Sequence, residues 1–272
     1  MSASPGSFPS SRRIPRFAPA RLGWALLNGV QAVYTVLVTC GGIPFALLLR
    51  VLSGGARLPL RMAAVYWAPA LLHGAGARLQ VEGSERIDWS RPCVLVVNHQ
   101  SIIDACVLFR AVPVPLRFVL KAEMARVPFV GRYARAMGMV FLDRGGRRAA
   151  LHSLELAASI VRDGGTVCVF PEGTRSRDGR VGRFKPGAFQ IALAAGVPVV
   201  PVAIAGSGAV LPPSGFAVRP GVIRLRFGTP LTVPAVAPAA VRDTLAQQAE
   251  HAVAELLQAL HGDALRAHDT TS

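Results

Sequence analysis

Hydrophobic and polar positions divide the chain into three textures. From Leu22 to Leu49 there is no charged residue. As one continuous helix that run would reach about 42 Å, more than the roughly 30 Å hydrocarbon core of a bilayer. Gly41, Gly42 and Pro44 interrupt it and predict two pieces, residues 22–40 and 43–52. Arg50, Arg57 and Arg61 precede a second apolar helix expected at 62–73, with Tyr66 and Trp67 inside it. After about Leu79 the apolar runs shorten to strand length, at 93–97, 139–142, 166–170, 197–204 and 223–227. Helical character lies between them at 104–109, 147–162 and 188–195. Strands alternating with helices predict an α/β sheet whose loops gather at the strand ends. Val241, Leu245, Ala249, Val253, Leu256 and Leu260 then recur every three or four residues, which predicts an amphipathic helix packed on the domain. Its tail is expected to fray after His261.

Composition changes this picture in two places. The sequence is 272 residues long, 51% hydrophobic, and carries a formal net charge of +15. Only Lys121 and Lys185 are lysines, so the excess is arginine. Such a surface favours anionic partners, whether phospholipid, nucleic acid or phosphorylated metabolites. No helix-turn-helix, zinc-finger or aromatic RNA-binding signature accompanies it, which leaves no nucleic acid partner to expect. Residues 1–21 hold several arginines and prolines but no acid, and read as a basic disordered arm. The uncharged run is too long for a cleaved signal peptide. It predicts membrane attachment, by a spanning helix or by helices within one leaflet. Arginines on both sides of it give no orientation. Removing residues 1–75 is therefore expected to lower activity on lipid far more than it unfolds residues 76–272. The cysteines Cys40, Cys93, Cys106 and Cys168 form no CxxC pair and have no histidine at ligand spacing. They read as reduced thiols, and no metal site is expected.

The stretch VVNHQSIIDAC ends a buried strand and at once presents His99, then Asp104 five residues later. Two readings of Asp104 stand. Ser101 to Asp104 has the S-x-x-[DE] form of a capping box, which would make the acid structural. Alternatively His99 lies on the loop and Asp104 in the first helical turn, so that the carboxylate folds back to orient the imidazole. An imidazole held in this way is a general base for a hydroxyl. No serine stands in a G-x-S-x-G elbow, so the hydroxyl would belong to a substrate. A hydrolase using the same pair to activate water remains the competing chemistry.

Residues 98–104, Asn-His-Gln-Ser-Ile-Ile-Asp, resemble the NHxxxxD signature of the glycerolipid acyltransferases, the family of 1-acyl-sn-glycerol-3-phosphate acyltransferase. Companion blocks follow in the expected order. Residues 138–144 match G-x-x-F-[IL]-x-R, residues 170–175 are FPEGTR, and residues 197–202 form an apolar strand with two prolines. Residues 121–124, with Pro128 and Gly131, resemble the KxEL…P…G segment, Met124 replacing leucine. The resemblance covers about residues 60–235. It implies a mixed β-sheet flanked by helices, with membrane-associated helices at 22–75, a catalytic domain at 76–235, and a C-terminal helix and tail at 236–272. It also implies acyl transfer from acyl-CoA or acyl carrier protein to the sn-2 hydroxyl of a lysophospholipid acceptor, 1-acyl-glycerol-3-phosphate, with no cofactor. A lyso-ornithine lipid is the alternative acceptor. His99 and Asp104 would be catalytic. Lys121, Arg144, Glu172, Gly173, Thr174 and Arg175 would bind substrate, with guanidinium groups on the phosphate. The implied location is a bacterial inner membrane, with the catalytic domain on the cytoplasmic side.

Overall fold

The computed structural model describes the backbone of residues 18–143, 145–234 and 239–269. Residues 1–17 of the expected basic disordered arm (1–21) and the expected phosphate ligand Arg144 lie outside the described residues, while residues 18–21 of that arm already belong to the first helix. In chain order the elements are α1 (Ala18–Leu52), α2 (Arg57–Met62), α3 (Ala68–Gly74), β1 (Ala77–Glu82), β2 (Val94–Val97), α4 (Asp104–Ala111), β3 (Leu116–Lys121) and α5 (Val130–Ala136). There follow β4 (Val140–Leu142), α6 (Arg147–Arg162), β5 (Thr166–Val169), α7 (Gln190–Ala195), β6 (Val199–Ala205), α8 (Ser207–Val210), β7 (Gly221–Phe227) and α9 (Ala239–Asp269).

One seven-stranded sheet has the order β1-β7-β6-β2-β5-β3-β4. The five strands from β6 to β4 run parallel, whereas β7 is antiparallel to β6 and β1 is parallel to β7. The sheet is therefore mixed, as expected. Central strands rich in valine are buried on both faces, and successive side chains divide between two layers. Leu95, Val97, Cys168 and Val202 pack in one core with Leu72 of α3 and Val107 of α4. Val94, Val96, Val167 and Ala203 pack in the other with Ala157 of α6, Ile191 of α7 and Val253 of α9. Cys93, Cys106 and Cys168 are free and buried. Burial pushes the Cys93 thiol up to about 11 and the Cys106 thiol up to about 12, which makes them inert core residues.

This topology opens a crevice. Strands β2 and β5 are neighbours, yet the crossover from β2 to β3 passes through α4 on one face. The crossover from β5 to β6 passes through α7 on the other. Loops diverging from adjacent carboxyl ends leave a cleft between them.

Three expectations need correction. Residues 41–44 do not break the first helix, because α1 runs through Pro44 without interruption. Pro in a helix interior costs about 3 kcal/mol, but α1 is held on both sides of it. Trp67 Nε1–H donates to Thr39 Oγ1 at 3.2 Å, Arg50 Nε–H donates to Ala136 O at 3.3 Å, and Ile43 and Ala46 are buried. Tertiary packing overrides the local preference. Second, Leu60 and Leu72 are buried in the core, so a cut at residue 75 would remove part of the domain. Third, α9 remains helical to Asp269, beyond the expected fraying point. Strands β1 and β3 were not anticipated.

Candidate active site

Strand β2 ends at Val97, and the next residue locks the turn in place. Asn98 is buried, its Nδ2–H donates to Ile204 O at 2.9 Å, and its Oδ1 accepts from Ile204 N–H at 2.7 Å. Both bonds clip the end of β2 onto β6, so His99 emerges from the sheet at a fixed point. The imidazole is 21% exposed and the Asp104 side chain is wholly buried. His99 Nδ1 lies 2.8 Å from Asp104 Oδ2. That oxygen also accepts from the N–H groups of Gln100 and Ser101 at 2.8 and 2.9 Å. An oxygen that is purely an acceptor fixes the proton on Nδ1, leaving the Nε2 lone pair for substrate. The Phe170 ring stacks on the imidazole at 4.1 Å between centroids and 20° between planes, which holds its rotation.

The loop after β5 is tied to the same turn. Glu172 is buried; its Oε1 accepts from His99 N–H at 2.9 Å and its Oε2 from Gly182 N–H at 3.0 Å. Burial pushes this carboxyl above the ordinary glutamate range, while the two N–H bonds pull it back. Gly173 adopts φ +70°, a conformation that favours glycine. Ser176 N–H donates to His99 O at 2.7 Å, which sets its neighbour Arg175 beside the imidazole loop. Gln100 Nε2–H reaches Gly179 O at 3.2 Å. The loop bearing Arg175, Arg177 and Arg180 is thus fastened to the His99–Gln100 turn from several sides. Thr174 and Arg175 are exposed, and Lys121 is exposed at the carboxyl end of β3, paired across to Leu142 of β4. Because β2, β5, β3 and β4 are parallel, all of these groups lie at one end of the sheet.

The architecture and sequence have known counterparts. The Acyltransferase family profile matches residues 78–205. A 1-acyl-sn-glycerol-3-phosphate acyltransferase of Pseudomonas aeruginosa is 35% identical over 184 residues, covering 67% of this chain and 70% of that protein. The chain belongs to the 1-acyl-sn-glycerol-3-phosphate acyltransferase family. A chloroplastic member from Brassica napus is 35% identical over 190 residues, which cover 70% of this chain but 54% of its own, so the match spans about half that relative's length. The crystal structure of the 1-acyl-sn-glycerophosphate acyltransferase from Thermotoga maritima superposes with a TM-score of 0.76 at 28% identity, covering 89% of this chain and 97% of that one.

Within this family fold, the positions named from sequence fall into two groups. His99, Asp104, Glu172 and Gly173 are built into one hydrogen-bonded unit, whereas Lys121, Thr174 and Arg175 point their chemistry from its exposed rim. Asn98, Gln100 and Phe170 were not singled out from sequence as site residues. All three stood inside quoted motifs, but only the fold brings Ile204, Gly179 and the imidazole to them.

Proposed function

We propose that this protein transfers a fatty acyl group from a thioester to the sn-2 hydroxyl of 1-acyl-glycerol-3-phosphate, giving phosphatidic acid. The observation that carries this reading is the His99–Asp104 pair, anchored through Asn98 and Glu172 at a strand end ringed by Lys121 and Arg175. Nε2 of His99 takes the proton of the acceptor hydroxyl while Asp104 steadies the imidazolium. The alkoxide attacks the thioester carbonyl. The tetrahedral intermediate then expels thiolate, which receives the proton back from Nε2. Lys121 and Arg175 hold the acceptor phosphate, Arg175 through its planar fork. Both acyl-CoA and acyl carrier protein suit a basic rim.

The same reading puts the catalytic end against a lipid surface. Helix α1 is the one described helix long and apolar enough to cross a membrane. It is docked sideways: Gln31 Nε2–H donates to Gly74 O at 2.9 Å, Asn28 Oδ1 accepts from Val218 N–H at 2.6 Å, and Arg50 closes the far end. From residue 28 to 50 that is about 33 Å of helix. Leu22, Leu26, Val30, Val33 and Leu37 are more than half exposed on its outer surface. A helix bonded along its side to a polar domain cannot cross hydrocarbon without drawing the domain in. It therefore lies within one leaflet in this reading, and we assign that leaflet to the cytoplasmic side of a bacterial inner membrane as part of the proposal.

The test is acyl transfer from radiolabelled acyl-CoA to 1-acyl-glycerol-3-phosphate in mixed micelles. His99→Ala should lower the rate at least about 100-fold with the melting curve preserved. An active His99→Ala variant sinks the mechanism. A wild type inactive on this acceptor but active on lyso-ornithine lipid moves the reading to that headgroup.

A further inference from the structure

Phe129 has φ +60° and ψ −53°, and is the one non-glycine residue with positive φ among the described residues. Val130 N–H donates to Pro128 O at 2.6 Å, closing a three-residue turn around it. This is the γ-turn of the rare, strained hand. A bulky aromatic side chain persists in such a conformation only where its surroundings leave it no choice.

The surroundings are well built. Gly131 N–H donates to Val127 O and Tyr133 N–H to Phe129 O, both at 2.9 Å. Arg135 Nη2–H donates to Ala125 O at 2.9 Å. A Cβ on Gly131 would lie 2.3 Å from Ala125 O, so only glycine fits where the segment folds back on itself. Yet this rigidity does not bury the apolar side chains it controls. Phe129 is 47% exposed, Val127 is 40% exposed, and Pro128 between them is exposed as well. Packing inside the domain therefore does not account for the strain. Arg126 and Arg132 flank the turn, both exposed.

The location narrows the partner. The segment begins at Lys121, on the rim of the proposed acceptor site. It ends in α5, which packs on α1 and whose Ala136 O receives Arg50. Helix α5 is about 10 Å long, so the apolar tip lies about that far from Ala136, the end of α1 where Leu48, Val51 and Leu52 are exposed. Apolar side chains flanked by arginines, beside a helix read as lying in a leaflet, match a bilayer of anionic phospholipid.

We propose that the Val127–Phe129 turn is a second insertion point in an anionic membrane, a rigid wedge that fixes how the acceptor site meets the lipid surface. Val127, Pro128 and Phe129 enter the acyl boundary, and Arg126 and Arg132 remain at the phosphates. The inference rests on the membrane reading of α1, and the experiment separates the two.

Full-length wild type, Phe129→Trp and Phe129→Gly are each mixed with vesicles of phosphatidylethanolamine and phosphatidylglycerol, with and without chain-brominated lipid. The added indole of Phe129→Trp should be quenched by bromine beyond the quenching of Trp24, Trp67 and Trp89 in wild type. Glycine relieves the strained φ, so Phe129→Gly should melt no lower than wild type while binding vesicles about tenfold more weakly. A lower melting point with unchanged vesicle binding would show a packing role and overturn the wedge. So would a new indole that stays unquenched while wild type is bound and quenched. An indole already shielded from aqueous iodide before vesicles are added would assign the turn to contact between two copies instead. Wild type that ignores vesicles altogether would defeat the α1 reading along with this one.

Discussion

Asp104 Oδ2 accepts from His99 Nδ1 and from the N–H groups of Gln100 and Ser101. Capping and catalysis stood as rival uses of this acid in the sequence, and the geometry is compatible with both at once. The bond from Ser101 N–H is half of a capping box. The other half is shifted by one residue: Ser101 Oγ accepts from Ile103 N–H at 3.3 Å while its hydroxyl donates to Leu211 O at 2.5 Å, and Asp104 N–H donates to Ser101 O at 3.2 Å. Asp104 Oδ1 is buried without a hydrogen bond among the described residues, which leaves the acid fully engaged on its Oδ2 side. Glu172 gives a sharper test at this scale. Its folded form holds the proton more readily than the unfolded chain, so its contribution to stability declines as pH rises from the ordinary glutamate range through the raised one. Glu172→Gln keeps one acceptor for two N–H groups, at a cost of about 1–3 kcal/mol. Thermal melts across pH should show the gap between wild type and Glu172→Gln narrowing as pH rises, because only wild type must then ionise a buried carboxyl. A widening gap would mean that the N–H bonds from His99 and Gly182 outweigh burial. The His99–Asp104 pair was legible because its members lie five residues apart. Asn98 and Gln100 were not, since their partners Ile204 and Gly179 lie 106 and 79 residues away, and spacing says nothing about such pairs.

Among the elements, β2, β5 and β6, found in advance, are apolar runs buried along their whole length, whereas β4 and β7, also found, are only partly buried. Strand β1, Ala-Arg-Leu-Gln-Val-Glu, lies at the sheet edge with its pattern largely exposed. Strand β3 carries Arg117 and Lys121 among its apolar residues. Neither forms the continuous run that marks a central parallel strand. Helix α1 was misjudged the other way, as Gly41, Gly42 and Pro44 are outvoted by contacts made from Asn28 to Arg50. Those contacts leave one side of α1 outward, which can be tested without cutting the chain. Val30→Glu with Leu37→Glu replaces two exposed side chains and should leave the stability within about 0.5 kcal/mol of wild type in thermal melts. Flotation with anionic vesicles should fall by more than tenfold, each charge costing roughly 1 kcal/mol or more at the interface. Loss of folding in that variant would show that α1 belongs to the core on all sides.

Across the whole molecule, the net charge of +15 and the apolar face of α1 act over different ranges. Charge attraction is screened over about 10 Å at 0.1 M salt and about 3 Å at 1 M, whereas apolar burial is not screened. Binding to phosphatidylglycerol vesicles should therefore weaken with salt and level off above zero. Binding to phosphatidylcholine should be weak and nearly flat. Complete release at high salt would leave α1 without an anchoring role.

The clip between Asn98 and Ile204 also sets an order of events during synthesis. At about 5–20 residues per second, the 106 residues between them take roughly 5–20 s to make, and β7 must follow before β1 finds its partner. Helix α1 leaves the ribosome long before that, as a bare apolar segment with nothing yet to dock on. A membrane is its natural shelter in the interval. The chain would then be tethered to lipid before its proposed base is in place, and each molecule would finish folding at the surface where the proposed acceptor resides.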